Sequence, residues 1–197
     1  MATPNRAHRR LTRDDWVEAA AHALSSAGPD GVAVQPLARG LGTTKGSFYW
    51  HFSSRDELLR AALERWAEIA TDGLIEEVEQ AVPGKNSQTA RQRAEVMLTT
   101  VTARSQENPG EVRLLAAVDH PDVEQAVARV TERRIGYLAG LLRSSGLTAA
   151  AASRRATLAY AAYLGYTQLN ASVPAVLPTA ARGRKALATE LADLMLQ

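Results

Sequence analysis

Cysteine is absent from the 197-residue chain. Without thiols the chain can form no disulfide, no thiolate zinc site and no cysteine nucleophile. The absence is compatible with a reducing cytoplasm, which is the compartment that we expect for this protein. Hydrophobic residues still make up 46% of the chain, which is enough to build a folded core.

Long apolar runs are also missing. The basic segment 1–10 is not followed by the apolar core of a signal peptide. The longest uncharged run, 156–181, is interrupted by polar residues and by Pro174 and Pro178. It therefore falls short of the roughly 20 apolar residues that a membrane helix needs. We expect a soluble protein with no membrane partner.

Catalytic and metal-binding motifs are equally scarce. The four histidines, His8, His22, His51 and His120, do not lie at metal-ligand spacing, and none belongs to a nucleophile motif. No glycine-rich phosphate loop is present. The sequence predicts no metal site, no cofactor and no enzymatic activity.

Charge is distributed unevenly along the chain. Residues 1–55 contain seven Lys/Arg and four Asp/Glu, whereas the remainder contains 16 basic and 17 acidic residues. A basic amino-terminal part points to a polyanionic partner such as DNA. Within it, Arg6, His8, Arg9 and Arg10 can reach a phosphate or the minor groove, or can form a solvated tail without a fixed role.

The first helix is predicted over residues 11–27. Thr12 is a candidate N-cap, with Asp15 as the third residue of a capping box. Apolar residues recur at helical spacing from Trp16 to Leu24, and the Gly-Pro-Asp-Gly run at 28–31 ends the helix. We therefore assign Trp16 to the core.

Two short helices joined by a glycine-containing turn are predicted next. Leu37, Ala38 and Leu41 form the apolar stripe of the first, over 34–41, and Gly42 can end it with φ > 0. The second begins at Thr44, whose hydroxyl can cap its first turn. This order of elements is typical of a helix-turn-helix.

Residues 44–52 are rich in groups that bind nucleic acid. Lys45, Ser47, Tyr49, Trp50 and His51 can each meet a phosphate or a base edge. Phe48 and Phe52, four residues apart, are expected to fill the small core instead, which leaves the polar residues for other faces. The pattern predicts that this segment enters the major groove of DNA.

The rest of the chain reads as helices without an alternating strand. Ser54 and Glu57 form a capping box that opens a long connecting helix to about Ala81, and a linker follows at 83–87. Further helices are predicted over 91–105, from about 108, and over 123–144, 148–169 and 179–196, with His120 as a loop or cap residue. Small residues on the fourth of these helices and leucines on the fifth fit either a dimer interface or a monomeric core.

The motif segment resembles the tetracycline-repressor (TetR) family. The resemblance lies in the run from Pro36 to Phe52 together with the Arg-Asp-Glu-Leu-Leu segment at 55–59. It implies an all-α fold, with an N-terminal three-helix helix-turn-helix head and a helical C-terminal ligand-binding and dimerisation body. The expected division is 1–53 for the arm and DNA-binding head and 54–197 for the connecting helix and body. Two residues depart from the family pattern. Val34 stands where the family usually has a Ser or Thr cap, and Thr43 replaces an apolar residue that usually packs in the turn.

The resemblance also assigns DNA-contacting positions. Gln35, Lys45 and Ser47 are expected nearest the bases, although Gln35 is equally compatible with a solvated first-turn residue. The full set of expected DNA-binding residues is Gln35, Thr44, Lys45, Gly46, Ser47, Tyr49, Trp50, His51 and Arg55.

The carboxyl-terminal half has no motif of comparable specificity. The resemblance to the family also implies a set of apolar residues that line a ligand pocket, although each of them can equally belong to the packed core. These residues are Trp66, Met97, Val101, Leu114, Leu115, Tyr137 and Leu141. Residues expected at a dimer interface are Leu158, Ala162, Gly165, Leu169, Leu187, Leu191 and Leu194.

Together these features predict a ligand-responsive transcriptional regulator. We expect a repressor that binds a near-palindromic operator in double-stranded DNA as a homodimer and is released by a small, largely apolar effector. The alternative is a DNA-binding regulator or activator without a small-molecule effector.

Overall fold

A computed structural model describes residues 11–84, 86–107, 110–178 and 180–196. Within these ranges the chain is built from helices and contains no β-strand, so the predicted all-α class is confirmed. The basic residues of the arm, Arg6, His8, Arg9 and Arg10, lie outside the described residues.

From residue 11 onward, the amino-terminal head contains three helices. They are α1 (Arg13–Ala27), α2 (Val34–Gly40) and α3 (Lys45–Phe48), with a 3-10 turn at Pro29–Gly31 between the first two. The core assignments are confirmed: Trp16 is fully buried, Phe48 is 1% exposed and Phe52 is 2% exposed.

The helix caps agree only in part with the sequence predictions. Thr12 closes a reciprocal capping box with Asp15, as predicted. The hydroxyl of Thr44 makes no capping bond, so that prediction is wrong. Ser54 does accept from the N–H of Glu57. The Glu57 carboxylate, however, accepts from the N–H and hydroxyl of Ser53, one residue earlier than a capping box requires.

The connecting helix reaches Ala81, as predicted, but a π-turn that was not predicted interrupts its regular hydrogen bonding. It consists of α4 (Arg55–Ala67) and α5 (Gly73–Ala81), joined by a π-turn at Glu68–Asp72. The N–H of Gly73 donates to the carbonyl of Glu68, five residues back, which is the hydrogen-bond pattern of a π-helix. The 3.6-residue periodicity on which the prediction was based cannot reveal one inserted residue.

In the part of the body that the structure describes, five further helices follow. They are α6 (Ser87–Glu107), α7 (Gly110–Leu115), α8 (Pro121–Ser144), α9 (Ala149–Ser172) and α10 (Ala181–Leu196), close to the predicted positions. His120 is the N-cap of α8 and accepts from the N–H of Asp122, as predicted for a cap residue. α8 packs along α9, and α10 packs against α6.

Two apolar cores lie on either side of the π-turn. The head-side core joins the head and α4 to Leu114 of α7 and to Val123, Ala126, Val127 and Val130 of α8. The body core begins at Leu74 of α5 and includes Leu138, Leu141 and Leu142 of α8. The head-side core therefore extends across the expected division at residue 53 into the connecting helix and body.

None of the described helices is long and apolar enough to cross a bilayer.

Candidate nucleic-acid interface

The turn between α2 and α3 is closed by local backbone bonds. Gly42 adopts φ +67°, a conformation that favours glycine. The N–H of Thr43 then donates to the carbonyl of Ala38 at 2.9 Å. This turn fixes α3 against α2.

Aromatic packing orients the segment that follows. The Phe48 and Phe52 rings stack with centroids 5.6 Å apart, and the Trp16 ring meets Phe48 edge-on at 5.5 Å. Because both phenylalanines point inward, the side chains between them are directed away from the core. Trp50 is 85% exposed and Tyr49 is 57% exposed.

Four of the predicted DNA-contacting residues border one surface groove. Gln35, Lys45, Tyr49 and Arg55 line this groove, whose volume is about 600 Å³. The ammonium nitrogen of Lys45 lies 5.9 Å from the centroid of the Tyr49 ring, so the two side chains share one face.

The other predicted contacts lie on the same segment outside that groove. Thr44, Gly46 and Trp50 are exposed, whereas Ser47 and His51 are partly buried. Trp50 therefore presents an almost fully accessible ring that makes no contribution to the head core.

Arg55 has partners that the sequence did not suggest. Its Nε donates to the carbonyl of Val32 at 2.8 Å, and an Nη donates to the carbonyl of Pro29 at 2.6 Å. Its other Nη lies 3.7 Å from the carboxylate of Asp56. The guanidinium thus ties α4 to the chain between α1 and α2. Backbone carbonyls leave no residue signature, so sequence reasoning could not find this bond.

The residues expected to line a ligand pocket do not gather in one cavity. Trp66 and Val101 border a cavity of about 850 Å³ between head and body. Tyr137 and Leu141 border a different groove of about 840 Å³. Met97 borders a void of only about 20 Å³. Leu114 is fully buried in the head-side core, with Leu115 packed against it.

Three polar residues that sequence reasoning missed, Glu111, Arg134 and Tyr163, also line the 850 Å³ cavity. Glu111 and Arg134 are 8% and 5% exposed and form an ion pair with N–O distances of 2.7 Å. Tyr160 and Tyr163 donate to the two oxygens of Glu111 at 2.8 and 2.9 Å. Burial, reinforced by the Glu111 charge, raises the pKa of Tyr160 to about 12. Arg134 occupies an apolar position in the periodicity of α8, and its buried position is explained by polar partners that lie far away in the sequence.

Most of the residues expected at a dimer interface lie on the surface of the single chain. Leu158 and Leu194 are 69% and 59% exposed, and Leu169 and Leu187 are 43% and 42% exposed. Ala162 and Gly165 are exposed on α9. The side chain of Leu191 lies outside the described residues.

Among the described side chains, no group of three His, Asp or Glu residues could hold a metal ion.

The head of the chain matches a known family of proteins. A family model described as "Bacterial regulatory proteins, tetR family" matches residues 17–62, which contain the helix-turn-helix and most of α4. An uncharacterized HTH-type transcriptional regulator, TtgW of Pseudomonas putida, is 33% identical over 63 residues. The match covers 32% of this chain and 47% of that protein, so it spans about half of the relative's length.

Solved structures resemble the chain over nearly its whole length. A transcriptional regulator from Rhodococcus sp. Rha1 superposes with a TM-score of 0.72 at 21% identity, covering 95% of this chain and 97% of the other. A regulator from Pseudomonas aeruginosa PAO1 gives a TM-score of 0.74 at 18% identity, covering 98% and 96%. These structures share the fold of the chain, including the helical body, which the family-model match to residues 17–62 does not cover.

Proposed function

Because residues 17–62 of this chain match the TetR family of bacterial regulatory proteins, we propose that the chain is a DNA-binding repressor of that family, released from its operator by a small molecule. In this proposal a homodimer binds a near-palindromic operator, residues 1–53 contact the DNA, and residues 54–197 dimerise and bind the effector. The observation that carries the proposal is the exposed polar and aromatic face formed by α2, α3 and the residues after them.

The proposed DNA contacts divide by chemistry. Lys45 and Gln35 carry donors that suit base edges, and their position beside the shared groove supports a role in sequence readout. The Tyr49 hydroxyl suits a phosphate, which would fix register without reading sequence. Arg55 is engaged with two head carbonyls, so we propose that it supports the reading head and adds charge near the DNA backbone.

A homodimer is supported by the apolar surface of α9 and α10. Grouped exposed apolar residues mark interaction surfaces, and Leu158 and Leu169 of α9 and Leu187 and Leu194 of α10 are all more than 40% exposed. Two-fold pairing through these helices would present two heads to successive major grooves roughly 34–36 Å apart or a multiple of that.

The effector site that we propose is the 850 Å³ cavity between head and body. Trp66, Ile69, Leu74 and Val101 give it a largely apolar wall, which suits a largely apolar molecule. A bound molecule releases DNA only if it favours a body conformation with a different head spacing. A 100-fold loss of operator affinity needs roughly 2.7 kcal/mol of coupling.

Two measurements test the dimer and the effector separately. Sedimentation equilibrium should give a mass of twice 21.2 kDa, whereas a monomer at micromolar concentration would contradict the proposed assembly. Thermal-shift screening with small apolar compounds should find molecules that raise the Tm and also release bound DNA. Compounds that raise the Tm without releasing DNA would favour the alternative, a regulator without an effector.

A further inference from the structure

The two apolar cores are separated by a layer of buried polar groups. α8 crosses both cores, with Val130 in the head-side core and Leu138 in the body core. Arg134 lies between these positions and is buried. The connecting helix also passes from one core to the other. Trp66, before the π-turn, belongs to the head-side core, and Leu74, after it, belongs to the body core. The polar layer and the π-turn therefore coincide.

Arg134 holds the π-turn directly. Its Nε donates to the hydroxyl of Thr71 at 3.1 Å, and an Nη donates to the carbonyl of Ala70 at 3.0 Å. Both acceptors belong to the five residues of the π-turn. Thr71 is itself only 2% exposed. Since π-turns interrupt the regular ladder of a helix, side-chain bonds such as these stabilise the irregular backbone.

Glu111 in turn fixes the position of the guanidinium. The second Nη of Arg134 donates to both oxygens of Glu111, and Tyr160 and Tyr163 each donate to one of them. Charge-assisted bonds of this kind are strong and directional. We call Thr71, Glu111, Arg134, Tyr160 and Tyr163 the Arg134 cluster. It joins the connecting helix to α7, α8 and α9.

The cavity of about 850 Å³ borders this cluster on the head side. Glu111, Arg134 and Tyr163 form part of its wall, together with Ala21 and His22 of α1. The head helix and the Arg134 cluster thus face the same space.

We propose that the Arg134 cluster is a joint that sets the orientation of the DNA-binding head relative to the body. Arg134 and Glu111 are positioning residues in this role: they hold the π-turn in one geometry and, through α4, the spacing of the two heads. The inference rests on the proposed function, because it assigns a regulatory element to the DNA-binding dimer.

The mildest test removes one bond of the cluster. Replacing Arg134 would leave the Glu111 carboxylate buried and unpaired, which endangers folding. Thr71→Val instead deletes a single hydroxyl at nearly constant shape. Thr89→Val is the matched control, because Thr89 is also buried, at 6% exposed, but its hydroxyl donates to the side chain of Asn86 and contacts neither the π-turn nor the Arg134 cluster.

The affinities for a selected palindrome and for its isolated half-site are measured for each variant. A change in head spacing weakens binding to the palindrome alone, whereas damage to the head weakens binding to both. We expect Thr71→Val to weaken palindrome binding about tenfold, within the range of known coupling energies. Half-site binding should change less than about twofold, because the reading surface is intact, and Thr89→Val should leave both near wild type. Equal losses on palindrome and half-site would overturn the proposal, since they would indicate damage to the head itself.

A second measurement does not depend on DNA. The absence of cysteine allows spin labels at Arg39→Cys in the head and Arg154→Cys in α9, both of which are exposed positions. Pulsed dipolar spectroscopy on labelled chains diluted with excess unlabelled protein reports the head-to-body distance. We expect Thr71→Val to shift or broaden this distance distribution, and Thr89→Val to reproduce that of the otherwise unmutated labelled protein.

The two experiments distinguish failure of the joint from failure of the proposed function. An unchanged distance distribution in Thr71→Val overturns the joint, whatever the DNA result. A wild-type protein that binds palindrome and half-site equally contradicts the dimeric operator reader, while the distance measurement still decides whether the cluster positions the head.

Discussion

Phe48 and Tyr49 are neighbours in the chain with opposite environments. Phe48 is 1% exposed within the head core, whereas Tyr49 is 57% exposed on the proposed DNA face. Their rings still meet edge-on at 5.2 Å, so the buried residue orients the exposed one. At this scale the helical spacing of Phe48 and Phe52 was enough to predict which side chains point inward.

The roles of Lys45 and Tyr49 can be separated by mutation. Tyr49→Phe should weaken binding to all DNA sequences by a similar factor, because a phosphate contact carries no sequence information. Lys45→Ala should shift sequence preference if the ammonium contacts a base edge, at a cost of about 1–3 kcal/mol in discrimination. Both variants are titrated against operator and scrambled duplexes at one stated salt concentration. An identical loss for Lys45→Ala on every sequence would refute base reading by Lys45.

Arg55 is predicted to act mainly on stability. Arg55→Ala removes two charge-assisted bonds to Val32 and Pro29, and we expect a loss of about 1–2 kcal/mol in the free energy of unfolding. Urea denaturation measures this loss. Arg39→Ala, which removes an exposed arginine from α2, is the control and should change stability by less than about 0.5 kcal/mol. Unchanged stability in Arg55→Ala would show that the two carbonyl bonds contribute nothing.

At the scale of elements, the start of α4 depends on the Ser53–Ser54 pair. Ser54 caps the helix through the N–H of Glu57, and Glu57 returns two bonds to Ser53. These bonds lower the pKa of Glu57, so the stabilisation is present above its ordinary pKa and is lost as pH falls through the folded-state value.

Loss of the Ser54 cap gives a measurable prediction. Ser54→Ala should lower stability by about 1 kcal/mol, since the N–H of Glu57 loses its acceptor. Thermal denaturation followed by circular dichroism measures the effect. Ser26→Ala is the control, because its exposed hydroxyl bonds only to the Ala23 carbonyl in the last turn of α1. A Ser54→Ala variant as stable as the Ser26→Ala variant would contradict the capping role.

The elements that sequence analysis predicted are those with local signals. Caps, glycines and apolar periodicity located most helices within a few residues, and Gly42 at φ +67° matched its predicted turn. The π-turn was missed because Arg134, which holds it, lies more than 60 residues away from Thr71. The Arg134–Glu111 pair was missed for the same reason, since long-range partners leave no local pattern.

At the scale of the whole molecule, the body cannot be inferred in the same detail. The predicted pocket residues proved to be divided between two cavities, a void and the head-side core. Apolar character alone does not distinguish a cavity wall from packed core, because both use the same residue types. The sequence did predict the helical architecture, because the helical spacing of apolar residues shows which face of a helix is buried, whatever element packs against that face.

Assembly is tested by placing a charge on the exposed face of α9. Ala162→Arg should weaken dimerisation at least tenfold, because a guanidinium would be buried in a helix-packed interface. Ala150→Arg is the control, since this exposed residue lies in the first turn of the same helix and outside the proposed interface. Sedimentation velocity over a concentration series measures both variants. Equal association of the two variants would place the interface elsewhere.

The central claim is that the chain reads operator DNA as a dimer. Gel-shift selection from a random duplex pool, run with purified protein at stated salt, tests it most directly. We predict enrichment of a near-palindrome whose half-sites are separated by about one turn of DNA or a multiple of it. Recovery of unenriched sequences, with only weak and salt-sensitive binding, would contradict the claim.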